Sequence, residues 1–376
     1  MTETILSALI DRVSAANLDA VALVPGPNFR RLFGRDFHLM ERAFVIVFPR
    51  KGPAVAVVPY LEMTSFDTLD FPGVVVSWRD ETGYEDAFKT AAEALTHLGP
   101  VPVIGLEAQR MRVFEQFALQ QALPQAQFED AHALISELRL QKTQEEIAHL
   151  KRAIEISEQA LEKTLQAVRV GQTEKQIEGI LVNNLFAAGA EGLAFEPIVA
   201  AGDNSAQPHA QARAEYKIKP GDALLFDFGA SYGGYNADIT RTVFVQFVSE
   251  YDRAFYDTVR AANAAGKAAT FAGATAHQVD DAVQRVLEQS QFAIFARHKT
   301  GHGLGLDVHE APQIMRGNDA ELLENMVFTV EPGLYRLGEC GVRIEDNVVV
   351  TQEGHTCLTS FSRDLRLVGV GACPQA

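Results

Sequence analysis

The chain has 376 residues, 47% hydrophobic and 22% charged, with a formal net charge of -16. The apolar content excludes a disordered chain, and the acidic balance argues against nucleic acid or an anionic membrane as partner. Cys340, Cys357 and Cys373, an odd number without a close pair, make neither a disulfide framework nor a zinc knuckle and read as incidental thiols of a reducing, cytoplasmic compartment.

The first segment, MTETILSALIDRVSAANLD, carries acids early and no basic region before an apolar core, so it is not expected to be a secretion signal. Ile5, Leu6, Leu9, Ile10 and Val13 recur at helical spacing and predict an amphipathic helix. DAVALVP, AFVIVFP, GPAVAVVP and VPVIGLE are short runs of strand character, with helical patterns such as YEDAFKTAAEALTHL between them. That alternation predicts an α/β domain over residues 1–137. Nothing reaches about 18 uninterrupted apolar residues, so no membrane span is expected.

From Leu138 the texture changes. LRLQKTQEEIAHLKRAIEISEQALEKTLQAV places Ile147, Leu150, Ile154, Leu161, Leu165 and Val168 on one stripe of a long helix, and the second domain is set at 138–376. Within it, GQTEKQIEGIL and GATAHQVDDAV share Gly-x-Thr-x-x-Gln followed by a β-branched residue, 102 positions apart (273 − 171). Thr173 with Gln176, and Thr275 with Gln278, form capping boxes that start helices. The bland reading is two common caps; the sharper one is two related halves with a site between them.

Two hairpins follow. ALLFDFGASYGGYNADITRTVFV has β-rich arms around Gly233-Gly234, with Asp227 and Asp238 symmetric about the position between Tyr232 and Gly233, hence expected opposite each other on one face. NMVFTVEPGLYRLGECGVRIEDNVVVT puts Glu331 and Glu345 symmetric about Gly338. Facing like charges destabilise a hairpin, and Glu345 sits among Val342, Ile344 and Val348, where a carboxylate needs a partner or a metal. Splayed, solvated aspartates are the bland alternative for the first pair. Four carboxylates plus an imidazole suit two divalent ions such as Mn, Fe, Co or Zn, since calcium rarely takes histidine. The stretch TGHGLGLDVHEAP supplies His302 and His309.

FDFGASYGGYNADITRT, HKTGHGLGLDVHEAP, TVEPGLY and VRIEDNVVVT resemble the Xaa-Pro peptidase branch (prolidase and aminopeptidase P) of the pita-bread metallopeptidases, over roughly residues 138–365. The N-terminal part, especially DAVALVPGPNFRRLFG, is similar to that family's smaller α/β domain. The resemblance implies a creatinase/prolidase-like α/β N-terminal domain and an α+β pita-bread catalytic domain with two pseudo-symmetric halves. It implies five metal ligands, Asp227, Asp238, His302, Glu331 and Glu345, holding two divalent ions, manganese first among cobalt, zinc and iron. It gives Glu331 the proton transfers, and His209 and His309 contacts with the substrate carbonyl and tetrahedral intermediate. His298 is a candidate on the substrate side or behind the ligands. Arg343 and Thr240 are expected to orient ligating carboxylates. The other histidines are left as structural or exposed.

The implied reaction is hydrolysis of the Xaa-Pro bond of short proline-containing peptides. An Xaa-Pro dipeptidase (prolidase), expected as a homodimer, is preferred to an aminopeptidase P acting on longer peptides. Arg30, Arg31, Arg35 and Arg42 are offered as a source for a carboxylate clamp, against the plainer reading of a solvated basic face. The rivals are a non-catalytic binding protein of the same fold, a methionine aminopeptidase and a hydrolase of a non-peptide substrate.

Overall fold

The computed structural model describes residues 3–369, so Cys373 lies outside the described residues. The chain divides into two compact units, Met1–Arg139 and Leu140–Ala376, two residues beyond the expected 137/138 boundary. Among the described residues no helix is long and apolar enough to cross a membrane.

The first unit contains helices α1 (Glu3–Ala15), α2 (Pro27–Phe33), α3 (Met63–Phe66), α4 (Glu85–Ala94), α5 (Val113–Ala122) and α6 (His132–Ser136). Its strands are β1 (Ala20–Leu23), β2 (Val45–Pro49), β3 (Ala54–Pro59), β4 (Gly73–Trp78), β5 (Val103–Leu106) and β6 (Gln127–Asp130). They make one mixed sheet in the order β4-β3-β2-β1-β5-β6. The central strands are buried along their whole length, with apolar clusters around Phe29 and Phe66 and around Trp78 and Phe88. This is why β1, β2, β3 and β5 stand out in the sequence as continuous apolar runs. The edges β4 and β6 are mostly exposed. The sequence reading omits both: β6 (QFED) is polar and carries no strand contrast, whereas β4 (GVVVSW) carries a valine run as strong as those of the central strands.

The second unit holds helices α7 (Gln144–Ala167), α8 (Glu174–Ala187), α9 (Glu250–Ala268) and α10 (Ala276–Glu288). Helix α7 starts at Gln144, later than Leu138, because Thr143 is its cap: Thr143 Oγ1 accepts from the Glu146 amide at 3.2 Å and Glu146 Oε2 accepts from the Thr143 amide at 2.7 Å. Thr173 and Thr275 cap α8 and α10 in the same way. Each also makes an antiparallel bridge, to Lys217 and to Glu321 respectively. The strands are β7 (Gly192–Leu193), β8 (Ile198–Ala201), β9 (Ala223–Phe228), β10 (Ala230–Tyr232), β11 (Tyr235–Asn236), β12 (Ile239–Val245), β13 (Gly301–Gly303), β14 (Glu310–Ile314), β15 (Val327–Val330), β16 (Gly333–Arg336), β17 (Cys340–Arg343), β18 (Asp346–Thr351), β19 (Gly354–Cys357) and β20 (Leu367–Val368). The main sheets run β20-β12-β9-β8 and β14-β13-β15-β18-β19. Helices α7 and α8 pack on the first through Leu161, Leu165, Ile177 and Phe226. Helices α9 and α10 pack on the second through Val259, Val283, Phe328 and Val348. The unit is thus two similarly built halves.

The hairpin registers set the carboxylates. In the first, Asp227 stands opposite Thr240, and Ser231 opposite Asn236. The expected direct opposition of Asp227 and Asp238 is therefore corrected. The turn is Gly233-Gly234, both at positive φ, 57° and 80°, a two-residue loop whose conformation favours glycine. Its centre lies one position later than the symmetry of the aspartates suggests. The pairing moves by two residues, which keeps both aspartates on one face, diagonal to each other. In the second hairpin Val330 faces Asp346 and Gly333 faces Arg343. One register runs through the gap between the paired segments, so Glu331 and Glu345 occupy opposite positions in it.

Candidate metal centre

Strand β13 is squeezed between β14 and β15. A side chain at Gly301 would meet the Thr329 carbonyl oxygen at 1.9 Å, and one at Gly303 would meet that of Ala311 at 2.0 Å. The glycines flanking His302 are what let three backbones close on it. The His302 ring is buried, 4% exposed. Its Nδ1 lies 3.1 Å from the Gly303 carbonyl and donates to it. That fixes the tautomer and leaves the Nε2 lone pair facing the carboxylates, 3.3 Å from Glu331 Oε1 and 3.6 Å from Asp238 Oδ2. Burial, with His309 adding, pushes its pKa down to about 3, so this proximity is not an ion pair.

Around that nitrogen the hairpins bring Asp227, Asp238, Glu331 and Glu345 together. Three groups of side chains, Asp238–His302–His309, His302–Glu331–Glu345 and Asp227–Asp238–Glu345, each have donor atoms within 4.8 Å of one another. Asp238 and Glu345 each belong to two of the groups, as carboxylates able to bridge two adjoining sites would, whereas His302, with one free lone pair on Nε2, can serve a single ion. Burial, reinforced by the neighbouring carboxylates, raises the Asp238 and Glu345 pKa values well above the usual range. Burial brings Glu331 up to about 7, with Arg343 opposing and Asp227 adding. A crowd of this kind is electrostatically unfavourable by itself.

The fit to divalent cations rests on single atoms. Glu345 Oε2 accepts from Thr240 Oγ1 at 2.7 Å, and Asp227 Oδ2 accepts from Arg343 Nη2. The other oxygens, Glu345 Oε1 and Asp227 Oδ1, are buried without a hydrogen-bond partner. Oxygen donors with one imidazole suit Mn, Fe, Co or Zn.

Behind the carboxylates, Arg343 Nε donates to Thr240 Oγ1 at 3.0 Å, which turns that hydroxyl proton towards Glu345. Arg343 Nη1 donates to Tyr335 Oη at 2.7 Å. Tyr335 Oη in turn donates to His298 Nε2 at 2.7 Å, while His298 Nδ1 donates to the Lys299 carbonyl at 2.7 Å. Burial first, then Arg343, lowers His298 to about 4. The Asp238 backbone is gripped by Asn347, whose Oδ1 accepts from the Asp238 amide at 3.4 Å and whose Nδ2 donates to its carbonyl.

A cavity of about 850 Å³ opens over these groups, lined also by His209, His309, Phe195 and Ile198. His309 is exposed and meets the His302 ring edge-on at 4.2 Å. His209 is likewise exposed, on the segment after Pro208. The expected ligands, the three histidines His209, His298 and His309, and Arg343 with Thr240 behind them are thus gathered at one place, with Asp227, Asp238, His302, Glu331 and Glu345 at the floor; Arg30, Arg31, Arg35 and Arg42 are not among the cavity's lining. The sequence reading missed Tyr335 and Asn347, and also Arg297 and Lys299 on the cavity wall. Their signal was weak: a strand tyrosine, a strand asparagine and two cations beside histidines are all ordinary surface or core features.

The model of metallopeptidase family M24 matches residues 148–352, and that of the creatinase/prolidase N-terminal domain matches residues 6–141. An Xaa-Pro dipeptidase from Lactobacillus helveticus is 32% identical over 88% of this chain and 89% of its own. The crystal structure of a recombinant prolidase from Thermococcus sibiricus superposes with a TM-score of 0.91 at 31% identity, covering 97% of this chain and 98% of that one. That of an X-Pro aminopeptidase from Thermotoga maritima gives 0.82 at 31% identity over 96% and 99%.

Proposed function

The chain belongs to metallopeptidase family M24, and from that premise we propose that it is an Xaa-Pro dipeptidase with Asp227, Asp238, His302, Glu331 and Glu345 as the ligands of two divalent ions. It is a metal-dependent hydrolase of the Xaa-Pro peptide bond, with the pita-bread fold in its second unit. The observation that carries the ligand set is the pair of buried, unpartnered oxygens on Asp227 and Glu345 beside the neutral Nε2 of His302. The oxygen-rich donors support manganese. The free thiols of Cys340 and Cys357 support a reducing, cytoplasmic setting. Exposed Met40, Tyr60 and Leu61 support a homodimer.

Bound divalent ions supply a Lewis acid for the substrate carbonyl and a nucleophilic water at neutral pH. Glu331 takes the proton of the attacking water and passes it to the proline nitrogen. His309 donates to the carbonyl oxygen as it gains charge, and His209 holds the substrate from the cavity wall. Thr240 and Arg343 keep Glu345 and Asp227 aimed. The Xaa-Pro bond lacks an N–H, so recognition falls to shape, which Phe195 and Ile198 supply on the cavity wall.

A dipeptidase also needs a cation for the proline carboxylate. Of the N-terminal arginines, Arg42 pairs with Asp80 at 2.7 Å, Arg35 bonds Thr68 and Arg31 bonds the Leu138 carbonyl. Arg297 and Lys299 lie on the cavity wall itself and are better placed for that role, although Lys299 Nζ also donates to Gln313 Oε1. The likeness to the Thermotoga X-Pro aminopeptidase keeps action on longer peptides as the second reading.

Metal analysis of the purified chain, followed by Ala-Pro, Ala-Pro-Ala and Met-Ala as substrates, tests the assignment. About two divalent ions per chain and preference for Ala-Pro are expected. Preference for Ala-Pro-Ala selects the second reading, and no metal-dependent cleavage of either proline peptide overturns both.

A further inference from the structure

Lys142 and Glu310 form an ion pair at 2.7 Å whose side chains are only 2% and 3% exposed. Neither residue lines the cavity. Glu310, however, opens β14 directly after His309, and it stands opposite Gly303, next to His302, where the register of β13 and β14 shifts. Among the described residues no hydrogen bond holds the His309 ring, so its place is set by its backbone and by the edge-on contact with the His302 ring. The backbone of the preceding loop is itself pinned. Asn236 donates from its amide to the Gly305 carbonyl at 3.0 Å, and from Nδ2 to the Gly305 and Leu306 carbonyls at 3.2 Å. Glu310 Oε2 accepts from the Asp307 amide at 3.4 Å. Lys142 is as firmly placed: its amide donates to the Asn325 carbonyl at 2.9 Å, and the cap of the 24-residue helix α7 begins at the next residue.

We propose that the Lys142–Glu310 pair is a tether that holds His309 over the metal centre, which makes Lys142 a positioning residue for the reaction. This rests on the role given to His309 above. A buried ion pair adds little net stability over apolar side chains of the same size, because desolvation offsets the attraction, yet losing one partner strands a charge. What the pair does supply is direction. It fixes the carboxylate of Glu310 at one point and, through one peptide unit, the backbone from which His309 reaches the site. A displacement of about 1 Å at a group meeting a developing charge is enough to slow turnover severely.

The test uses the full-length, metal-loaded chain with Lys142→Met and Glu310→Gln combined. This removes both charges and leaves a side-chain carbonyl at position 310 to accept from the Asp307 amide. The thermal midpoint and metal content of the double variant are expected to match wild type. Its kcat for Ala-Pro is expected to fall about tenfold with KM within about twofold. In a His309→Ala background the same pair of changes is expected to cost nothing further, since the group being positioned is gone. Amide exchange read by mass spectrometry is expected to quicken in residues 303–310 and not in β9 or β12. The proposal is overturned by an unchanged kcat, by equal losses in both backgrounds, or by unchanged exchange in 303–310. If His309→Ala alone leaves kcat intact, the role of His309 fails and the tether with it; that outcome is distinct because Ala-Pro cleavage itself persists.

Discussion

Asp227 and Glu345 each commit one oxygen to a protein donor and leave the other buried and bare. That division of labour distinguishes a ligand from a structural carboxylate, and Asp346, the neighbour of Glu345, makes the contrast. It too is buried, but both its oxygens are used by Arg241, Lys267 and Arg363, which against the effect of burial hold its pKa well below the usual range. At the metal centre Arg343 is the chief charge opposing the crowd, so removal of the ions has a sign that follows from the shifts. Glu331 moves from 4.5 in the unfolded chain to about 7 in the fold, through burial above all. A raised carboxyl favours the protonated fold, so without ions its contribution is complete below 4.5 and lost as pH rises through about 7. The thermal midpoint of chelated protein is therefore expected to fall between about pH 5 and pH 8, a loss on the order of 1–3 kcal/mol. Metal-loaded protein is expected to show the opposite slope, because protons then compete with the ions. Paired melts in EDTA and in manganese read both; parallel slopes would refute the cation assignment. Glu331→Gln removes the proton acceptor and is expected to lower kcat/KM about 10²–10⁴-fold at every pH, checked by stopped-time assays on protein of verified metal content. Activity near wild type would take the proton transfers away from Glu331.

At the scale of elements, the two hairpins were legible because each is a long β-rich stretch with symmetric carboxylates and a glycine turn. A one-position error at Gly233-Gly234 altered who faces whom but not which face they share. The caps of α8 and α10 were legible for a different reason: Thr-x-x-Gln satisfies its own helix end locally, whatever the tertiary structure does. Tyr335, Asn347 and the Lys142–Glu310 pair were not legible, because each acts through a partner 8 to 168 positions away and nothing local marks it. The caps serve the fold and not the chemistry. Thr173→Ala and Thr275→Ala are each expected to cost about 1 kcal/mol in urea unfolding, with metal content and kcat unchanged. A loss of metal in either would mean that the helix ends reach the site.

For the whole molecule, the proposed ligands come from both halves of the second unit: Asp227 and Asp238 from the β9–β12 hairpin, Glu331 and Glu345 from the β15–β18 hairpin, and His302 from β13. Two dications held there would match the four negative charges of those carboxylates and would act as a cross-link between halves that otherwise repel at their point of closest approach. The first unit has its own apolar clusters on either side of its sheet, built from residues 9–138, and contributes none of the five ligands. Chelation is thus expected to act locally. Amide exchange should quicken by about tenfold or more in the peptides covering 223–245 and 327–351, where the two hairpins would lose the ions that neutralise their facing carboxylates. Peptides covering β1, β2, β3 and β5 should exchange at an unchanged rate, because their protection depends on apolar burial that the ions do not touch. Faster exchange in those four strands after chelation would mean that the two units open as one cooperative block, and the cross-link would then have to be counted as support for the entire chain.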